Sequence, residues 1–138
     1  ARMGFFRKRS RPMPSRKIKG IKLGVLETIC DAARNMHPRE FAGALTASGE
    51  IIEGILMIPG AISGESHAVF NTYNLPPDLS RVGSVHSHPS PNAMPSDADL
   101  QLFRTFGRIH LIVAFPYNPQ SWNAFDASGR RVDLTIVN

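Results

Sequence analysis

The sequence predicts an α/β domain of mixed, α+β character, with helices covering a mixed sheet. Three observations predict it. An apolar stripe at helical spacing (Leu26, Ile29, Cys30, Ala33) stands near the start. A second helix-length segment, residues 96–106, stands two thirds of the way along. Short runs rich in Val, Ile, Leu and Phe fill the intervals, bounded by Gly, Pro, Asn and Ser. At 138 residues the chain suits one compact domain with a core of its own.

The elements follow in order. Residues 1–17 are basic and are broken by Pro12 and Pro14, so they read as a disordered extension. A short strand is expected from about Lys17, then a helix over 23–36 that Pro38 stops. Strands are expected over 41–47 and 51–58, joined by a turn at Ser48-Gly49-Glu50. Another is expected over 66–71, then a loop around Pro76-Pro77 and a strand over 82–88. A proline-rich loop leads into the helix over 96–106, which Gly107 closes. Strands over 109–115, 122–126 and 132–137 complete the domain, which is assigned residues 18–138.

Charge is distributed unevenly. Eight of the sixteen Lys and Arg lie in the first 19 residues, and the first acidic residue is Glu27. Residues 20–138 therefore hold eight cations against eleven anions, a net −3. The basic arm is suited to nucleic acid or another polyanion, or simply to solvent. It lacks aromatic interleaving beyond Phe5-Phe6, so it offers no base-stacking platform. Cys30 is the single cysteine, which excludes an internal disulfide and a multi-cysteine metal cluster. With no apolar run of membrane-spanning length and no visible leader, a cytoplasmic location is expected, without membrane association.

The chemistry concentrates in His86-Ser87-His88-Pro89 and Ser96-Asp97-Ala98-Asp99. Residues two apart on a strand share a face, so His86 and His88 project together and Ser87 points away. Two neutral imidazoles so placed can bind one metal ion, although the pair alone is compatible with two ordinary histidines. Ser96 and Asp99 have the spacing of an N-terminal helix cap, which explains both residues without a metal. Asp99 also shares a helical face with Leu102, Phe103 and Phe106. That face should be buried, where a carboxylate needs a partner. Two nitrogens and one oxygen, with a coordination position left for water, make a catalytic rather than a structural zinc site. Glu40, between Pro38 and the strand beginning at Phe41, is the candidate general base; a solvated loop glutamate would look the same.

These residues resemble the JAMM motif of the MPN+ metalloproteases. The pattern is His86-Ser87-His88, seven residues, Ser96, two residues, Asp99, with an upstream glutamate. Segments 36–41 and 83–89 also match the family's catalytic-glutamate and metal-strand segments. The likeness covers residues 18–138 and is nearest to compact archaeal members. It implies an MPN fold: a curved mixed sheet flanked by helices, distantly similar to cytidine deaminases. It implies His86, His88 and Asp99 as ligands to one Zn2+ per chain, and Glu40 as general acid/base. Ser96 would be the hydroxyl that steadies the tetrahedral intermediate. The implied substrates are amide bonds after the C-terminal tail of ubiquitin-like or sulfur-carrier proteins. One departure stands out: residues 41–47 lack the family's glycine-rich ending.

Other zinc enzymes fit worse. A base deaminase needs a P-C-x-x-C run, and H-E-x-x-H is missing. A β-lactamase-type hydrolase would want Asp and His soon after His88, where Pro89 and Ser90 stand. The competing functional class is a non-catalytic MPN scaffold, with or without nucleic-acid binding through the tail. His37, His67 and His110 are assigned no ligand role. An edge strand at 66–71 is the expected track for an extended substrate tail.

Overall fold

The computed structural model describes residues 12–15, 17–57 and 80–138. The expected strand at 66–71, His67 and residues 1–11 lie outside the described residues. Residues 13 and 15 bond by backbone to Gly49, at the turn between the second and third strands, and Arg108 donates to the Ser15 carbonyl at 2.7 Å.

In chain order, the elements are β1 (Gly20–Lys22), α1 (Leu23–Met36), β2 (Ala42–Ser48), β3 (Ile51–Met57), β4 (Arg81–His88) and α2 (Asp97–Thr105). They continue with β5 (Ile109–Ala114), β6 (Trp122–Phe125), β7 (Arg131–Val132) and β8 (Thr135–Val137). The first strand begins at Gly20 rather than near Lys17. The single strand expected over 132–137 is two strands, β7 and β8, with Asp133 and Leu134 between them.

That break explains the shape of the sheet. Among the described residues its order is β7-β6-β5-β4-β2-β3-β1-β8, so β7 and β8 stand at opposite ends. Laid flat, eight strands at about 4.8 Å spacing would put the edges about 34 Å apart. Yet the chain passes from Val132 to Thr135 in three peptide steps, a reach of at most about 11 Å. The sheet must therefore curl until its edges approach. It is mixed: β1 pairs parallel with β3 and β8, and β4 parallel with β5, while the remaining pairs are antiparallel.

The helices cover opposite faces. α1 buries Val25, Leu26, Ile29, Cys30 and Ala33, and these pack with Leu45, Val85, Leu111 and Val113. Cys30 is thus a core residue, and burial pushes its thiol pKa up, away from the reactive thiolate. α2 sets Leu102 and Phe106 against Ala42 and Ala44, and Phe103 against Ile112 and Phe125. Each fully buried side chain of this size contributes roughly 1.5–3 kcal/mol. Gly107 follows α2 with φ +112°, and a Cβ there would lie 2.5 Å from the Val82 carbonyl oxygen. Only glycine turns the chain so tightly into β5.

His110 is a buried core histidine. Its ring stacks on Phe103 at 4.3 Å. Nδ1 accepts from the Ser84 hydroxyl at 2.7 Å, and Nε2 donates to the Gly107 carbonyl at 3.1 Å. Burial, the dominant influence, pushes its pKa down to about 4. The unfolded histidine titrates near 6.5, so between pH 6.5 and 4 the unfolded chain binds a proton that the native chain refuses. Stability therefore falls as pH drops through this window, by about 3 kcal/mol. His110→Gln should lack this component. The check is urea denaturation of chelator-treated wild type and variant at pH 7 and pH 4.5; equal losses in both would remove His110 as the cause.

Candidate metal centre

The parallel pairing of β4 and β5 dictates where the site forms. Gly83 pairs with Ile109 and His88 with Ala114. The intervening chain must therefore return from the C-terminal end of β4 to the N-terminal start of β5. α2 makes that return, so its first turn sits over the end of β4. His86 and His88 lie there on the α2 face, and Asp99 lies in that first turn.

The three side chains converge. His86 Nε2 lies 3.2 Å from His88 Nε2 and 3.1 Å from Asp99 Oδ1, and His88 Nε2 lies 3.2 Å from Asp99 Oδ2. Their ligand atoms all fall within 4.8 Å of one another. A tetrahedral zinc with ligands at about 2.0 Å has edges of about 3.3 Å, so the donor set fits that ion. His86 is 1% exposed and Asp99 7%. Burial favours a neutral Asp99, but hydrogen bonding to the two imidazoles and to the Ser96 amide outweighs it, holding the carboxyl well below the usual range.

Asp99 caps the helix and also turns its carboxylate toward the two histidines. It closes a capping box with Ser96: the Asp99 amide donates to Ser96 Oγ at 3.1 Å, and Asp99 Oδ2 accepts from the Ser96 amide at 2.9 Å. The same carboxylate faces both histidines. The cap therefore orients the ligand, because the bond from the Ser96 amide limits rotation of the carboxylate.

The His88 ring is set by a backbone group. The Asn92 carbonyl, an acceptor only, takes the Nδ1 proton at 2.8 Å, so that in the neutral ring Nε2 is the nitrogen available to a metal ion. Burial works against a charge on His88, but Asp99, the Asn92 carbonyl and Glu40 together raise its pKa. Among the described residues, His86 Nδ1 is buried without a hydrogen-bond partner. Its ring is held by packing and by what meets Nε2.

Glu40 is half-buried, and its charge acts on both His88 and Tyr117. Ser96 is exposed at the head of α2. Sequence reasoning missed Tyr117, which lies 1% exposed near Glu40 with its hydroxyl 2.7 Å from His37 Nδ1. Nothing in a Pro-Tyr-Asn-Pro turn signals such a contact. It missed the Asn92 carbonyl for a similar reason, since backbone acceptors carry no residue code.

Two imidazoles and a carboxylate at these spacings, with the Glu40 charge acting on His88, make a donor set of the kind that hydrolytic zinc proteins use. The comparisons define the family. A model of prokaryotic homologs of the JAB domain matches residues 22–127. A probable metalloprotease of Haloferax volcanii is 37% identical over 134 residues, spanning 90% of this chain and 83% of that protein. A solved JAB1/MPN domain protein from Archaeoglobus fulgidus superposes with a TM-score of 0.72 at 36% identity, over 86% of this chain and 99% of that one. A second structure, described as a JAMM, a metalloprotease-like zinc site in the proteasome and signalosome, gives 0.70 at 34% identity, over 88% and 100%. The chain belongs to the prokaryotic JAB-domain branch of the JAMM/MPN family, and its curled mixed sheet is the MPN fold.

Proposed function

We propose that this protein is a zinc-dependent peptidase of isopeptidase type, cutting amide bonds after the C-terminal tail of a ubiquitin-like or sulfur-carrier protein. The observation that carries the reading is the mutual 3.1–3.2 Å approach of His86, His88 and Asp99, with the Glu40 charge acting on the same cluster. The kinship to a probable metalloprotease supports it.

His86, His88 and Asp99 would hold the ion. When bound, zinc supplies a water acidified to a pKa of about 7 and a Lewis acid for the scissile carbonyl. Glu40 takes the proton of the attacking water and passes it to the departing amine nitrogen, so one carboxylate serves as base and then as acid. The Ser96 hydroxyl accepts the Asp99 amide on a lone pair and keeps its own proton to donate to the developing oxyanion. The Asn92 carbonyl keeps His88 in its ligating tautomer.

The test is metal analysis followed by incubation with ubiquitin-like conjugates carrying isopeptide and linear linkages. We expect about one zinc per chain, cleavage that stops after chelation, and recovery on zinc addition. Undiminished cleavage by the stripped protein would exclude the mechanism. Stoichiometric zinc without cleavage of any conjugate would favour the scaffold instead.

A further inference from the structure

We propose that Ser87 is a positioning residue for Glu40, acting through the backbone of Phe41; this rests on the role given to Glu40 above. Ser87 lies between the two histidines, on the sheet face away from the metal centre. It is fully buried, and Phe41 is 3% exposed.

Past a register shift between Thr46 and Leu45, the β2–β4 ladder runs regularly from Leu45 and Gly83 to the pair Ala42 and His86. One step further, Phe41 stands opposite Ser87. A regular hydrogen-bonded antiparallel pair exchanges two bonds, each amide donating to the opposite carbonyl. Here only one has that form: the Ser87 amide donates to the Phe41 carbonyl at 2.9 Å. The Phe41 amide donates instead to Ser87 Oγ, at 2.7 Å. A side-chain oxygen thus stands where a carbonyl would, and the last rung is closed by the hydroxyl. The residue so held is joined directly to Glu40.

This arrangement has a mechanical consequence. β4 carries both histidine ligands on one face. On the other it grips the backbone next to the proton-transferring carboxylate. Ser87 is thus the last contact through which the β2–β4 pairing sets the distance between Glu40 and the two histidines, and proton transfer needs positioning within hydrogen-bond reach. Removing Oγ leaves a buried amide without an acceptor, which the segment can relieve only by moving. Sequence alone places Ser87 away from the metal and gives no reason for a hydroxyl there.

Three measurements on the full chain test the assignment. The first needs no activity: in Ser87→Ala, hydrogen exchange at the Phe41 amide should quicken at least tenfold relative to the amides of β5. The second compares Ser87→Thr with Ser87→Val, which match in volume and differ in the hydroxyl. Thr should keep kcat within about threefold of wild type. Val should lose about 10–100-fold in kcat with KM and zinc content little changed. The third is a cycle with Glu40→Gln: adding Ser87→Val to that variant should slow it no further, because both changes act through one group.

Unchanged Phe41 exchange, or equal kcat for Thr and Val, would overturn the assignment. So would fully additive losses in the cycle, since a purely structural role persists without Glu40. These outcomes leave the enzyme reading intact. Conversely, wild type that cleaves nothing defeats the enzyme reading and the positioning role with it.

Discussion

Glu40→Gln should lower conjugate cleavage by about 10²–10⁴-fold or more while zinc content stays at that of wild type. Glutamine keeps the size and shape of the side chain and removes its charge and its ability to accept and return a proton. The three proposed ligands, His86, His88 and Asp99, are untouched. Because Glu40 is half-buried and its charge acts on His88, zinc affinity should weaken slightly, so metal is measured after equilibration at excess zinc. The loss should fall on kcat, with KM near wild type, as expected for a group used in proton transfer rather than in holding substrate. A variant that turns over at the wild-type rate would remove Glu40 from the chemistry and leave the proton carrier elsewhere.

Gly83→Ala should be among the most damaging single changes in the chain, although it adds one methyl group far from the ligands. A Cβ at Gly83 would lie 1.5 Å from the Ile109 carbonyl oxygen, which belongs to its partner on β5. No rotamer relieves this, since the clash is between Cβ and backbone. β4 and β5 would have to part at the pair that starts their ladder. The same β4 carries His86 and His88 a few residues on, and α2 spans the two strands, so the disturbance reaches the metal centre. We expect a loss of at least about 3 kcal/mol from a stability normally near 5–15 kcal/mol, together with weaker zinc binding. Gly24→Ala is the control. Gly24 is exposed on α1, and a Cβ there meets nothing within 4 Å. Helix propensity then predicts a gain of about 0.5–1 kcal/mol. Urea denaturation of both variants at one pH is the measurement. Equal stability of Gly83→Ala and wild type would show that the strands can separate at no cost, contrary to this packing.

Local elements were legible wherever their signals were local. The helix over 23–36 has the predicted bounds, because its stripe lies within it and Pro38 stands two residues past its end. The helix after Ser96 was legible from its cap and from Gly107. The final strand was misjudged as one element, since residues 132–137 read as a continuous β-type run. Its break at Asp133 and Leu134 follows from edge pairing at opposite ends of a curled sheet, and strand order leaves no mark on a short segment.

The sequence by itself determined the donor types. Period-two spacing puts His86 and His88 on one face, and helical spacing puts Asp99 on the buried side of its helix. Only the tertiary structure decided that these faces meet. The parallel β4–β5 pair forces α2 to run back over β4, which brings Asp99 to within 3.2 Å of both histidines. It also turned the capping carboxylate of Asp99 toward both imidazoles, so that the cap and the contact with the histidines share one side chain. Spacing specifies which way a side chain points from its own backbone. Where two backbones come together depends on the whole packed sheet.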